Sequence, residues 1–468
     1  MSENINRALH ELFAADDRLY LLGEDVLDPY GGAFRVTKGL STAFGDRVLT
    51  TPLSENGIAG VAAGLALAGN RSIVEVMFGD FLLLALDQLI NFATKSVSMY
   101  GRPVPLSMVV RCPVGGHRGY GPTHSQNLQK HLIGVPNLAL YEISPLHDAV
   151  ELLRAALHRG APSVLFEDKV LYTQRRYASD RIDDDYRYGH LPGPGHWMRV
   201  APDGAESTDL VLICPGGMVT RTLAAARRLN AETAMSCSLL VPGQLYPLEL
   251  DPVLPLLTGG AMIAVAEEGT RGGTWGAELA SELYPRLWGS LSRPIVLISS
   301  ADSVIPAAPH LERQVLVGPE TIVTAVTDAL RGPSRRVSPP PVAEAVAPSG
   351  TAANSVTDAL GHDLVIPTLN TNDVSCTLVD WLVADGAAVA VGDLIATVET
   401  SKATTDIEAE HAGRLRRTRE IGEEVGFGER IGVILAAAVE ADRFDPVDRG
   451  GAASGTTADT AREAETAA

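Results

Sequence analysis

Lys402 is the residue whose chemical setting in the sequence is most specific. It lies in the segment Glu399-Thr-Ser-Lys-Ala403 and is the only lysine after Lys169, since every other positive charge in that stretch is an arginine. A single lysine among arginines favours a need for a primary amine over a need for charge alone. Considered by itself, however, a lysine in a turn is usually an ordinary exposed residue.

A sequence repeat surrounds Lys402. Residues 385–398 match residues 421–434 at an offset of 36, and each copy has the pattern of a strand, a glycine-containing turn and a second strand. Neither copy can bury its apolar face alone, so the pair predicts a small two-fold-symmetric β-sandwich. Lys402 lies midway between the copies, and we expect it at the tip of a hairpin between strands at 394–399 and 404–408.

Glu55 is a second candidate for chemistry. It ends the segment Thr51-Pro-Leu-Ser-Glu55 and precedes a stretch of glycine and alanine that runs to Gly69. Ser54 could cap a helix that begins at Glu55, and the helix dipole would stabilise a carboxylate there. This structural reading explains both residues without any catalysis, so the spacing alone leaves both readings open.

His124 lies in a glycine-rich segment, residues 115–126. A histidine in such a loop is, on spacing alone, more often structural than catalytic. His131 lies nearby in the same part of the chain. Phe81 and Leu53, considered by themselves, fit plain core positions equally well.

The first 330 residues alternate short apolar runs with helix-like stretches, which is typical of strands and helices around a parallel sheet. The pattern lapses at residues 177–195, where consecutive aspartates and a Gly-Pro-Gly run indicate a connection. We therefore predict an α/β fold with two parallel-sheet domains, at residues 1–195 and 196–331.

The remaining residues change character twice. Residues 332–361 have no apolar period and predict a flexible, proline-containing linker. Residues 362–438 predict the small all-β sandwich, and residues 439–468, rich in Ala, Thr, Asp and Gly, predict a disordered tail.

Composition excludes several classes of protein. With 46% hydrophobic and 20% charged residues, the 468-residue chain cannot be disordered throughout, and its net charge of −19 argues against a nucleic-acid partner. It has neither a membrane-length apolar stretch nor a signal-peptide pattern, so we expect a cytoplasmic protein with no membrane partner. Four widely separated cysteines argue against a thiolate metal site or a disulfide framework, and we predict no metal ligands in this chain: Cys112, Cys214, Cys237 and Cys376.

The segment around Lys402 closely resembles the lipoyl domain family, in which the lysine of Glu-Thr-Asp/Ser-Lys-Ala carries covalent lipoate. Ser401 and Ala403 stand where the related biotin carriers usually have methionine, which argues against biotin. The resemblance implies lipoate on Lys402 and a lipoate-attaching enzyme as a partner.

Residues 4–330 resemble the beta subunits of the thiamine-diphosphate-dependent 2-oxo acid dehydrogenases, with a transketolase-like fold. The motifs that carry the resemblance agree in order and spacing: Gly31-Gly-Ala-Phe-Arg, Leu53-Ser-Glu-Asn-Gly, Ile73-Val-Glu-Val-Met-Phe-Gly-Asp-Phe81, Arg111-Cys-Pro-Val-Gly-Gly116 and Thr123-His-Ser-Gln126. The resemblance implies that Glu55 hydrogen-bonds a ring nitrogen of the cofactor's aminopyrimidine and favours its reactive tautomer. It further implies that Phe81 stacks on that ring, that Leu53 supports it, and that His124 handles protons as the acyl group moves to lipoyl sulfur.

One family signature is missing from the sequence. The diphosphate-binding pattern, Gly-Asp-Gly followed by Asn-Asn, does not occur, so the resemblance implies that an alpha chain supplies the diphosphate and Mg half of the site in an α2β2-like assembly. The His-His-x-x-x-Asp-Gly motif of the acyltransferases is also absent, so the acyl group must pass to another protein.

These implications predict one function. The chain would be a thiamine-diphosphate-dependent subunit that generates an acyl unit from a 2-oxo acid and transfers it to the lipoyl group on its own C-terminal domain. Delivery to coenzyme A, through an acyltransferase, or to an acyl carrier protein would follow. The unusual fusion leaves open ketol cleavage of a ketose phosphate, which would load a two-carbon hydroxyacyl unit through the lipoyl arm onto an acyl carrier protein. A non-catalytic carrier or scaffold subunit is the second alternative.

Overall fold

The computed structural model describes residues 1–204, 208–332, 362–367, 375–399 and 404–435, which fall into two compact units divided between residues 349 and 350. The strands of the first unit are β1 Leu19–Gly23, β2 Val48–Thr50, β3 Arg71–Glu75, β4 Met108–Val114, β5 Ala139–Glu142, β6 Ser163–Asp168, β7 Tyr186–His190, β8 Met198–Pro202, β9 Leu210–Ile213, β10 Cys237–Val241, β11 Gln244–Tyr246, β12 Met262–Thr270 and β13 Val296–Ser300. Its α-helices are α1 Ser2–Ala15, α2 Leu40–Phe44, α3 Glu55–Leu67, α4 Thr94–Ser96, α5 Ala149–His158, α6 Val219–Thr233, α7 Leu254–Leu257, α8 Trp275–Leu287, α9 Pro309–Val315 and α10 Pro319–Arg331.

The first sheet has the strand order β11-β5-β6-β4-β3-β1-β2. Strands β1 to β6 pair in parallel, whereas β11, from the C-terminal half of the unit, adds an antiparallel edge to β5. β4 lies at the centre of the sheet and is buried along its whole length, as expected for a strand with both faces covered.

The second sheet has the order β13-β12-β9-β10-β8-β7, with four parallel strands followed by two antiparallel ones. The predicted α/β fold with two parallel-sheet domains is therefore confirmed. The edge strand β7 lies inside residues 177–195, where the sequence pattern predicts only a connection. Only Tyr186 of this strand is buried, so it lacks the apolar run that marks the other strands.

The second unit is a small antiparallel β-sandwich, as the sequence repeat predicts. Its strands are β14 His362–Val365, β15 Ser375–Trp381, β16 Ala388–Val389, β17 Leu394–Glu399, β18 Thr404–Glu408, β19 Gly413–Arg417, β20 Glu424–Gly426 and β21 Arg430–Leu435. They form two four-stranded sheets, β14-β21-β19-β16 and β18-β17-β15-β20, so each sheet takes one strand from each repeat. Buried aliphatic side chains, including Leu378, Ile395 and Ile431, fill the space between the sheets.

Short helical turns complete the first unit near its candidate site. A 3-10 turn spans Gly79–Ala85, and a π-helical turn follows at Gln88–Ala93. Both turns pack against α3. Within the described residues, no helix combines the length and the apolar character needed to cross a membrane.

Candidate functional site

Glu55 is the first residue of α3, as predicted. Ser54 precedes it but makes no capping hydrogen bond through its side chain. The helix therefore begins where the structural reading of the Ser-Glu pair expects it, but Ser54 does not cap it with its side chain. Glu55 itself is partly exposed at the positive end of the helix dipole.

Glu24, at the end of β1, lies beside Glu55, and the sequence analysis did not single it out. Glu24 is 6% exposed, and its carboxylate oxygens make no well-formed hydrogen bond among the described residues, although the backbone N–H of Ser54 acts on the carboxylate and opposes the rise of its pKa. Burial raises the pKa of Glu24, and the charge of Glu55 raises it further. A signal was present, since Glu24 directly follows an apolar strand at the carboxyl end of a parallel sheet, where polar side chains often act on ligands.

An aromatic cluster brings two predicted site residues together. The rings of Phe81 and His124 meet edge to face with centroids 5.3 Å apart. Phe78, which the sequence analysis did not identify, contacts both, at 6.0 Å from Phe81 and 4.7 Å from His124. The hydroxyl of Thr123 lies 2.9 Å from His124 Nδ1. The turn that carries Phe81 packs on α3, so the helix that begins at Glu55 contacts the element that holds the aromatic cluster.

Leu53 lies in the segment between β2 and α3 and is 79% exposed. The alternative interpretation of Leu53 as a core residue is therefore wrong. A highly exposed leucine next to a carboxylate at a helix start offers apolar surface to a ligand or to a partner chain.

Three of the sequence motifs meet in a buried ion network behind the site. The Arg111 guanidinium donates to Glu75 at 2.5 Å and to both oxygens of Glu167 at 2.7 and 2.8 Å. Glu75 also accepts a hydrogen bond from the backbone N–H of Ala33 at 2.7 Å. Burial raises the pKa of Glu75 despite the opposing charge of Arg111. The network joins β3, β4 and β6 to the glycine-rich segment near Ala33, which gives these motifs a structural role.

Lys402 lies outside the described residues. The strands on either side of it are present as predicted, and β17 and β18 pair so that Glu399 faces Thr404. The four cysteines of the chain are free and buried. No group of three or more His, Cys, Asp or Glu residues suited to a metal ion occurs in the parts of the chain that the structure describes.

Comparison with known families matches three parts of the chain. Residues 1–174 match the family described as "Transketolase, pyrimidine binding domain", residues 201–322 match "Transketolase, C-terminal domain", and residues 362–434 match "Biotin-requiring enzyme".

Similar proteins include the pyruvate dehydrogenase E1 component subunit beta of Leifsonia xyli, 31% identical over 70% of this chain and 94% of that protein. The 3-methyl-2-oxobutanoate dehydrogenase subunit beta of Mycobacterium tuberculosis is 32% identical over 71% of this chain and 92% of its own length. The acetoin:2,6-dichlorophenolindophenol oxidoreductase subunit beta of Bacillus subtilis is 31% identical over 71% of this chain and 98% of its own length. A split-gene transketolase, solved as an inactive beta4 tetramer, shares the fold with a TM-score of 0.53 at 19% identity, over 70% of this chain and 97% of that one.

The fold and the matched domains define a transketolase-like subunit that carries a C-terminal domain of the biotin and lipoyl type. The chain belongs to the beta subunits of the thiamine-dependent 2-oxo acid dehydrogenases. Its residues fit the pyrimidine half of a thiamine cofactor. Glu24 offers a buried carboxylate beside Glu55, and Leu53 offers exposed apolar surface just before the same helix. Phe81 is partly buried in the aromatic cluster with His124.

Proposed function

We propose that this chain, together with an alpha chain, generates an acyl unit from a 2-oxo acid and transfers it to a lipoyl group on its own Lys402. The observation that carries the proposal is the contact between Phe81 and His124 next to the helix that begins at Glu55. These groups accompany a lipoyl-type sandwich on the same polypeptide.

Each site residue has a role that its position supports. Glu55, at the accessible start of α3, would hold a ring nitrogen of the thiamine, with Phe81 and Leu53 against the ring. When bound, thiamine supplies the nucleophilic carbon that cleaves a bond next to a carbonyl. Thr123 occupies His124 Nδ1, so Nε2 is the nitrogen available to move a proton at the substrate oxygen.

The exposed apolar residues around α3 would suit an interface with an alpha chain. Leu53, Val61, Leu83 and Leu84 are exposed on α3 and on the segments before and beside it. Exposed apolar residues concentrated around an incomplete site indicate a protein interface. We propose that the alpha chain covers them and brings the diphosphate and Mg ligands, in an α2β2 assembly.

The lipoyl domain would act as a tethered acceptor. The sequence predicts a linker at residues 332–361, and a flexible tether of about 30 residues would hold a carrier at roughly millimolar effective concentration, so no separate docking domain would be required for the encounter. A lipoate-attaching enzyme would modify Lys402. The acyl unit would then leave to coenzyme A, through an acyltransferase, or to an acyl carrier protein.

A second candidate donor is a ketose phosphate, cleaved to a two-carbon hydroxyacyl unit for an acyl carrier protein. Two observations support a ketose phosphate as the donor. One similar protein is named for acetoin rather than for a 2-oxo acid. The present sequence also joins the lipoyl domain directly to the thiamine-type subunit and lacks the acyltransferase motif.

The test is to produce the full chain with an alpha chain that carries the Gly-Asp-Gly and Asn-Asn signature, in cells competent for lipoylation. The complex is incubated with pyruvate, a branched 2-oxo acid or xylulose 5-phosphate, and the mass of the lipoyl domain is measured. We expect acylation from a 2-oxo acid, whereas a hydroxyacyl mass from xylulose 5-phosphate alone would establish the second candidate. Glu55→Ala should reduce acylation by at least about 100-fold, with the exposed Glu320→Ala as control. Full acylation in Glu55→Ala would contradict the role of Glu55, whereas no acylation of the wild-type complex by any donor would support a non-catalytic scaffold subunit.

A further inference from the structure

The segment that carries His124, residues 115–126 and called here the His124 loop, makes few strong hydrogen bonds of its own. Gly115, His117, Gly119 and Gly121 all have positive φ, between 61° and 91°. The backbone bonds that close the loop are long, at 3.4 Å from Gly115 N to Gln126 O and 3.4 Å from His124 N to Gly121 O. Such a loop needs outside contacts to hold one conformation.

Glu312, from α9 in the C-terminal half of the first unit, supplies two of these contacts. Its side chain is 3% exposed. One carboxylate oxygen accepts the backbone N–H of His117 at 2.8 Å, and the other faces the N–H of Gly119 at 3.4 Å. A carboxylate can accept both bonds at once, whereas an amide would present its own N–H to one of them.

Glu268, from β12, contacts the start of the same loop and the residue that follows its end. A single carboxylate oxygen accepts the backbone N–H of Gly116 at 2.7 Å and the side-chain amide of Asn127 at 2.9 Å. The other oxygen pairs with Arg221, which also contacts Asp168 at 3.1 Å. Glu268 is therefore fixed on both sides.

Close packing accompanies the hydrogen bonds. A Cβ atom built on Gly116 would lie 2.3 Å from Leu316 Cδ1, and one on Gly121 would lie 3.2 Å from the Cβ of Ala307. Leu316 and Ala307 flank α9, so the loop lies directly on this part of the C-terminal half. A side chain at Gly116 would require the Leu316 side chain to move.

We infer that Glu312 and Glu268 are positioning residues that hold the His124 loop from the C-terminal domain, so that His124 keeps its place against Phe78 and Phe81. The catalytic consequence rests on the proposed function, because it requires His124 to move a proton. The hold on the loop does not depend on that function.

The test uses hydrogen–deuterium exchange of the full chain, which needs no cofactor, with peptides that cover residues 113–127 and the helix α5. In Glu312→Gln and Glu268→Gln we expect the loop amides to exchange roughly tenfold faster, with α5 unchanged. Glu320→Gln is the matched control. Unchanged loop exchange in both variants would overturn the inference, and either variant suffices if the other fails to fold.

The reconstituted complex tests the catalytic part. Glu312→Gln should lower kcat roughly tenfold, with KM and thiamine binding changed less than about twofold. Faster loop exchange with an unchanged kcat would overturn the positioning role. If His124→Ala also leaves turnover unchanged, the proposed role of His124 fails, while the hold on the loop is judged by exchange alone.

Discussion

Glu24, at the end of β1, lies beside Glu55, at the start of α3, and its pKa is raised by burial and then by the charge of Glu55. The negative charge of Glu55 disfavours the ionised form of Glu24. A buried carboxylate whose charge is poorly compensated costs folding free energy. Ionised Glu24 therefore lowers the stability of the fold.

Glu24→Gln should stabilise the protein at neutral and alkaline pH. Glutamine keeps the shape but removes the buried charge, so we expect the free energy of unfolding at pH 8 to rise by about 1 kcal/mol. Because the folded pKa of Glu24 is raised, this gain should shrink towards acidic pH, where the wild-type carboxyl is protonated. Urea unfolding at pH 8 and pH 5 measures both values, and a loss of stability at pH 8 would contradict the interpretation.

Lys402→Arg should stop acyl transfer but spare cleavage of the substrate. Arginine keeps the positive charge but cannot form the lipoyl amide, so the carrier stays empty. Turnover with an artificial electron acceptor should remain within about twofold of wild type. Lys95→Arg, at an exposed lysine of the first unit, is the control. Transfer that survives Lys402→Arg would show that the lipoyl assignment is wrong.

Arg111→Met should destabilise the first unit strongly. It leaves Glu75 and Glu167 buried without their cation, and breaking such a network by removing one partner costs about 3–5 kcal/mol. Arg228→Met removes only exposed pairs with Glu232 and Glu320 and should cost under about 1 kcal/mol. Chemical denaturation measures the free energy of unfolding of both variants. Equal losses of stability would contradict the prediction that the buried ion pairs matter more than the exposed ones.

Glu142 should make stability fall as pH rises from about 5 to 8. Burial raises its pKa to about 8, although it accepts hydrogen bonds from Gln129 and Gly217. Between its unfolded and folded pKa values the folded chain holds a proton that the unfolded chain has released, so stability decreases with pH by up to about 1.4 kcal/mol per pH unit. Glu142→Gln should remove this part of the slope because glutamine does not titrate. The Gln129 amide can rotate to accept a hydrogen bond from the new side chain. An identical slope in the variant would exclude Glu142 as the cause.

Local sequence patterns were sufficient for much of this protein. The alternation of apolar runs and helical stretches predicted two parallel-sheet domains, and the repeat at residues 385–398 and 421–434 predicted the sandwich around the Lys402 segment. Resemblance in short motifs pointed to Glu55, Phe81 and His124. These features are encoded within a few residues of each other, and periodicity follows directly from strand and helix geometry.

The tertiary structure alone decided which distant residues meet. Glu24 reaches Glu55 because β1 and β2 are neighbours in the sheet, and Phe78 touches His124 because the turn after β3 packs against the loop after β4. The contact of Glu312 with the His124 loop joins residues 195 positions apart. No local pattern encodes such pairs, because they depend on strand order and on the packing of one domain against another, which only the complete fold determines.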